Sequence, residues 1–478
     1  MVTTHPISQG PVIFWLRRDL RLSDHPGLTK ALETGQPVIP VFIRDDILCS
    51  TGAAPRWRLG LAAQHFACSL SAIEAKLIFR TGDPVQVLRA LIQETGASHV
   101  MWSRAYDPAS IARDKAVKAA LKDDGIGVES VPGHVMFEPW TVAPKTASYY
   151  KVYTPMWKSV RDRDVPEPLP KITKWTAPET WPKSEDLTSW DLGKDMQRGA
   201  GVVRPYLAVG EDAAMERLSS FLAGPIADYA TDRDLPWKPG TSRLSENFAY
   251  GEISPHTAWH DGQEALRAGK AGAEVFLKEL VWREFAYHLA FHTPQIVDQN
   301  WRSEWDAFPW NEDDTTPEVT AWKQGRTGVP FVDAAMREMY VTGTMHNRGR
   351  MIVASYLTKH LMSHWQIGQR WFEECLVDWD PAANAMGWQW SAGSGPDATP
   401  YFRVFNAETQ LEKFDKSGSY VAAWIAEKAA KPSQTALSYF DAIPRAWGLS
   451  PSARYPAPIV AMDVGRKRAL DAYANRGF

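Results

Sequence analysis

The chain has 478 residues, 44% hydrophobic and 23% charged, with 22 Trp and a formal net charge of −3. That length supports two or three domains, and the charge excludes a uniformly basic nucleic-acid binder while leaving room for a local basic groove. Three scattered cysteines without a CxxC, an opening MVTTHPISQG with no leader pattern, and no apolar run of the ~18 residues a membrane helix needs together predict a cytoplasmic protein with neither a disulfide framework nor a membrane span.

Five apolar runs mark the first 131 residues: PVIFWL (11–16), PVIPVFI (37–43), LIFR (77–80), HVMWS (99–103) and GVESV (127–131). Each has the hydrophobicity of a strand buried on both faces. RWRLGLAAQHFACSLSAIEAKL and DPVQVLRALIQETG between them carry helical spacing, the second opened by an Asp83-Pro84 cap. The alternation predicts an α/β doubly wound parallel-sheet N-terminal domain over 1–131. Prolines at 155, 166, 168, 170, 178 and 182 break any period, so 132–200 reads as a long connector wrapped over the surface. Residues 201–478 read as an all-α C-terminal domain, clearest in FLKELVWREFAYHLAFH (276–292), PFVDAAMREMYVTG (330–343) and NRGRMIVASYLTKHLMSHW (347–365). No Walker A, G-x-S-x-G or GxGxxG after the first strand appears, so the α/β domain lacks the usual dinucleotide fingerprint.

Several clusters carry polar chemistry. Glu279, Trp282 and Arg283 stand at i, i+3 and i+4, which puts a carboxylate, an indole and a guanidinium on one helical face. The same spacing suits a partly buried ion pair beside a core tryptophan. Asn347 and Met351 share another face, where an amide and a thioether suit a planar polar group with an apolar edge; a helix start with solvated arginines and a core methionine is the commoner use. Asp378 and Asp380 in VDWDPAAN suit a metal, a helix cap or an arginine partner such as Arg350. GTSRLS (240–245) offers hydroxyls and backbone amides to an anion, or simply caps a helix. The pairs His288/His292 and His360/His364 have the HxxxH spacing, but Leu follows the first His in both and no third zinc ligand is evident, so structural histidines are expected.

In combination these segments resemble the photolyase/cryptochrome flavoproteins. FWLRRDLRLSDHPGL is similar to that family's first strand and turn. TSRLSENFAYGEISP, ELVWREF, TGTMHNRGRMIVASYL and DWDPAANAMGWQWSAGSGPDATPYFRVFNAETQLEKFD resemble its flavin-domain signatures, in order and nearly end to end. The resemblance implies a U-shaped FAD in the helical domain, active as FADH⁻, and light-driven repair of cyclobutane pyrimidine dimers in UV-damaged DNA. Asn347 and Met351 match dimer photolyases, whereas (6-4) photolyases place histidines at both positions. Asn384 matches the residue facing flavin N5.

By the same resemblance, FAD contacts are Tyr229, Thr241, Ser242, Leu244, Ser245, Arg283, Arg350, Asp378, Asp380 and Asn384. The lesion and its DNA are met by Arg233, Glu279, Trp282, Asn347, Arg348, Met351, Trp390, Arg403 and Gln410, with Trp282 and Trp390 flanking the extruded bases. Glu279 hydrogen-bonds a pyrimidine, and Trp388, Trp365 and Trp310 form the chain that photoreduces the flavin. An antenna chromophore is expected. The Asn-Glu pair that holds folate in some bacterial photolyases is replaced by Ala109 and Ser110, so methenyltetrahydrofolate, favoured over a deazaflavin, would use other contacts, as in the class III branch. The alternative function is a cryptochrome-type photoreceptor, but this chain keeps the lesion pocket and has only the short tail RKRALDAYANRGF. A monomer is expected.

Overall fold

All five predicted strands join one parallel sheet in the computed structural model, which describes residues 10–196, 198–397 and 402–477. They are β1 (Val12–Leu16), β2 (Val38–Arg44), β3 (Ile78–Thr81), β4 (His99–Ser103) and β5 (Gly127–Val131), in the order β3-β2-β1-β4-β5. Phe14, Leu16, Phe42 and Met101 pack on one face of the sheet, Ile13, Trp15, Val41 and Trp102 on the other, and all eight are buried. Helix Pro84–Thr95 begins where the sequence predicts, with the Asp83 carboxylate accepting from the Gln86 amide at 3.0 Å. The first nine residues, read for a leader, and residues 398–401 of the last signature lie outside the described residues. No described helix is long and apolar enough to cross a membrane.

The stretch 132–200 has little regular structure beyond helix Tyr153–Val160, yet it is anchored on both sides. Val135, Phe137, Met156, Trp157 and Val160 enter a core shared with helix Ala273–His292, while Ile172, Trp190 and Leu192 close one face of the sheet. Spaced large apolar residues thus tether a chain whose prolines prevent a repeating period.

Beyond 200 the described residues form helices and turns without a further sheet. Helix Pro381–Ala392 packs on Asn347–Ser355, on Trp365–Cys375 and on Ala273–His292. One expectation is corrected. The 347–365 stretch is not a single helix: it passes through a wider π turn over Tyr356–His360, and Met362 takes a φ of 54°. A left-handed residue ends a helix, so Trp365 starts a new one.

Candidate active site

Helix Pro381–Ala392 contacts three other helices, yet Ala383 and Gly387 are exposed on it and Asn384 is half-buried. A Cβ added at Gly387 would meet nothing within 4 Å. Small residues therefore leave an open strip along a helix that is otherwise covered. The Asn384 amide on this helix donates to the Gln369 carbonyl at 3.1 Å.

Arg350 donates to both carboxylate oxygens of Asp378, at 2.9 and 2.7 Å, and the Ser245 hydroxyl adds a bond of 2.7 Å. The Asp378 side chain is 2% exposed and that of Arg350 28%, so the guanidinium reaches from the open side to a buried anion. Asp380 caps helix Pro381–Ala392 through the Ala383 amide at 2.9 Å and accepts from the Tyr287 hydroxyl. Of the three uses open to these two aspartates, the structure has one arginine pair and one cap. Ser245 opens the short helix Ser245–Ala249 without a side-chain cap, Leu244 is buried, and Thr241 and Ser242 are half-buried beside them. Tyr229 lies in an aromatic nest with Phe221 at 5.1 Å and Phe276 at 6.3 Å.

Glu279 and Arg283 do not pair, although their spacing allows it. Glu279 binds Arg233 from across the site, while Arg283 reaches Glu284 at 3.0 Å and the His134 ring at 3.2 Å. The cation for Glu279 comes from a distant segment, and local periodicity carries no signal of it. Trp282 lies flat against Tyr153, with ring centroids 3.8 Å apart and planes 5° from parallel. Tyr153 is the residue that sequence reasoning missed; the only trace of it is the aromatic density of YYKVY inside the connector.

Asn347 opens its helix and is exposed; Met351, one turn on, is half-buried. Arg348 is held by Asp234 at 2.5 Å and lies over the Phe414 ring at 4.3 Å. Trp390 is half-buried, Arg403 is exposed with its guanidinium 5.8 Å from the Phe405 ring, and Gln410 is half-buried on helix Ala407–Phe414.

Trp388, Trp365 and Trp310 are all buried. Trp388 presses on Gly368, where a Cβ would lie 2.0 Å from the indole, and meets Phe372 at 4.9 Å. Trp365 donates to the Asn300 side chain at 2.8 Å, and Trp310 to the Thr358 carbonyl at 2.9 Å. The His364 ring is neighbour to both, 5.5 Å from Trp365 and 5.4 Å from Trp310.

The histidine pairs have other work. His288 accepts from the Tyr150 amide at 3.0 Å and His292 bonds the Pro139 carbonyl at 3.1 Å. His360 stacks on Tyr356, while His364 caps helix Trp365–Cys375, so His360 and His364 share no helical face. No cluster of three or more metal-ligating side chains occurs among the described residues.

A second cavity, of about 260 Å³, lies at the carboxyl ends of β1, β2 and β4. Arg17, Asp45, Ser110 and Arg113 line it from the sheet side, and Tyr287 and Trp379 from the helical side. The strand order reverses there, the usual ligand position of such sheets.

Residues 12–174 match the family described as DNA photolyase, and residues 276–475 the FAD binding domain of DNA photolyase. A deoxyribodipyrimidine photo-lyase from Agrobacterium fabrum is 44% identical over 475 residues, 98% of each chain. A bacterial class III photolyase structure from Agrobacterium tumefaciens superposes with a TM-score of 0.88 at 42% identity, covering 100% of this chain and 99% of that one. An archaeal photolyase from Sulfolobus tokodaii, described as having two FAD molecules, gives 0.79 at 28% identity, covering 97% of this chain and 100% of that one. The chain belongs to the photolyase/cryptochrome family.

Proposed function

We propose that the chain is a light-driven DNA repair enzyme, a deoxyribodipyrimidine photolyase that opens cyclobutane pyrimidine dimers in UV-damaged DNA. The observation that carries this reading is the open strip at Ala383 and Gly387, on a helix packed against both the one bearing Arg350 and the one bearing Glu279 and Trp282.

The residues present fit FAD. A flat ring system needs a slot without Cβ obstruction and polar groups at its edge, and Gly387, Asn384 and the Arg350–Asp378 pair supply both. Thr241, Ser242, Ser245 and Arg283 suit the ribose and diphosphate; Tyr229 and Leu244 give an apolar floor, with Asp380 close by. Reduced FAD, when bound, supplies an electron on illumination and recovers it after the two ring bonds have opened, with no net redox change. Glu279 takes a hydrogen bond from a pyrimidine N–H, Asn347 meets a polar edge and Met351 an apolar one. Trp282 and Trp390 hold the bases face-on, and Arg233, Arg348, Arg403 and Gln410 hold the strand. Trp388, Trp365 and Trp310 carry electrons inward to keep the cofactor reduced.

The cavity at the strand ends suits an antenna, with methenyltetrahydrofolate favoured over a deazaflavin. Arg17 and Arg113 at its rim are held by Asp114 and Asp45, and extraction followed by mass spectrometry tells the two chromophores apart. A monomer working in the cytoplasm is part of this reading. Illumination of the reduced protein with dimer-containing single- and double-stranded oligonucleotides tests the activity; loss of the dimer only in the light is expected, and no repair of either substrate refutes the reading.

A further inference from the structure

The segment from Asp232 to Arg243 bridges two of the helices that carry the proposed dimer-facing side chains. Arg233 binds Glu279 on helix Ala273–His292. Asp234 binds Arg348 on helix Asn347–Ser355 at 2.5 Å, and Arg243 reaches Thr344, just ahead of that helix, at 3.3 Å. Lys238 folds back onto Asp232 at 2.5 Å, and two turn bonds, Lys238 to the Leu235 carbonyl at 3.1 Å and Gly240 to the Lys238 carbonyl at 2.8 Å, tighten the bend. Pro236 and Pro239 flank the tip and fix its backbone.

The tip residue is Trp237, 46% exposed. Of the 22 tryptophans only Trp140 is more open, and it is covered in part by Phe291 at 5.5 Å and Arg104 at 5.7 Å. Among the described residues no aromatic ring meets Trp237. A large indole held out on a braced loop loses little freedom on binding and presents a flat face to a ligand. Arg233, Lys238 and Arg348 around it are each paired with a carboxylate, of Glu279, Asp232 and Asp234, and Arg243, without a carboxylate partner among the described residues, leaves the loop one net positive charge.

We propose that Trp237 is a stacking platform for a nucleobase next to the dimer, outside the pocket that takes the dimer itself. Cations for phosphates beside an exposed ring are the means by which single strands are held without reading sequence. The proposal rests on the DNA-repair reading and adds a contact to it. Trp237 itself takes no part in the pocket that holds the dimer, so its effect falls on affinity and not on the photochemical step.

The test uses the flavin-loaded protein and its Trp237→Ala and Trp237→Phe variants, with flavin absorbance confirming the fold. Oligonucleotides, undamaged or carrying one dimer, have 2-aminopurine beside the central site. Trp237→Ala is expected to weaken both DNAs about tenfold and to relieve the 2-aminopurine quenching, while Trp237→Phe stays near the parent. Repair at saturating DNA and the salt dependence of binding stay unchanged, since no phosphate contact is lost. Undiminished affinity and quenching in Trp237→Ala overturn the proposal, and so does a loss of affinity that comes with a shallower salt dependence. Parent protein that repairs no dimer in the light refutes the activity on a separate readout, because stacking is scored on undamaged DNA.

Discussion

Tyr153 backs Trp282 with its whole ring, at a centroid distance of 3.8 Å, and is itself pinned by a 2.7 Å hydrogen bond from its hydroxyl to the Lys278 carbonyl. Phe285 meets both rings edge-on, at 6.0 and 5.8 Å. One face of the indole is therefore covered and its plane is set before any base arrives.

Removing that support should cost binding more than chemistry. Tyr153→Ala leaves Trp282 free to swing, and a stacked aromatic pair contributes about 0.5–1.5 kcal/mol beyond its buried area. KM for dimer-containing DNA should rise severalfold while kcat changes less. Tyr153→Phe, which keeps the stack and loses only the hydroxyl bond, should stay close to the parent. Equal losses in both variants would assign the effect to the hydroxyl.

The Arg233–Glu279 pair makes a second prediction. Glu279 is 30% exposed and Arg233 22%, so the pair is partly open to solvent and not in the core. Glu279→Gln keeps the shape and an acceptor oxygen but loses the charge on the proposed bond to a pyrimidine, and a charge-assisted bond exceeds a neutral one by about 1 kcal/mol, or roughly fivefold. Repair yield per absorbed photon should fall accordingly while flavin content stays constant. Loss of flavin in this variant would mean that the carboxylate holds the cofactor.

Legibility of these features in the sequence follows the range of the interactions. The five strands are legible because a parallel sheet covered on both faces demands continuous apolar runs. The Asp83 cap is legible because it acts over three residues. The end of the 347–365 stretch is not, since a helix-compatible sequence is stopped at Asn311, whose carbonyl accepts from the His364 amide and whose own amide donates to the Met362 carbonyl. Glu279 and Arg283 suggest a pair by spacing, and a nearer cation from another segment takes the carboxylate. Tyr153 is invisible for the same reason: its partner is set by how the connector crosses the helical domain, and no local pattern encodes that crossing.

His364 stands beside both Trp365 and Trp310, and burial holds its imidazole below the ordinary histidine range. It is neutral at pH 7, so it raises no electrostatic barrier to a positive hole passing between the two indoles. Photoreduction under external reductant should be flat above the ordinary histidine pKa and slow at lower pH, as the ring gains charge. Trp388→Phe should abolish photoreduction at every pH, while chemically reduced protein still repairs. An unchanged photoreduction rate would remove Trp388 from the route.

His360 links stability to pH. Its ring is buried, stacked on Tyr356 at 5.2 Å and pressed by Gly465 of helix Met462–Ala474, where a Cβ would lie 2.8 Å from it. Burial, with a smaller contribution from Arg468, pushes its pKa down to about 4. The unfolded chain, with a histidine pKa near ~6.5, takes up this proton first as the pH falls. The stabilisation from a neutral His360 is therefore complete above about pH 6.5 and is lost progressively down to about pH 4. Between pH 7.5 and 5 the loss from this one group comes to about 2 kcal/mol. His360→Asn cannot take up the proton, so its urea unfolding free energy should fall by about 2 kcal/mol less than the parent's over that interval, whatever the variant costs at pH 7.5. Identical falls in the two proteins would mean that His360 is already charged in the folded state.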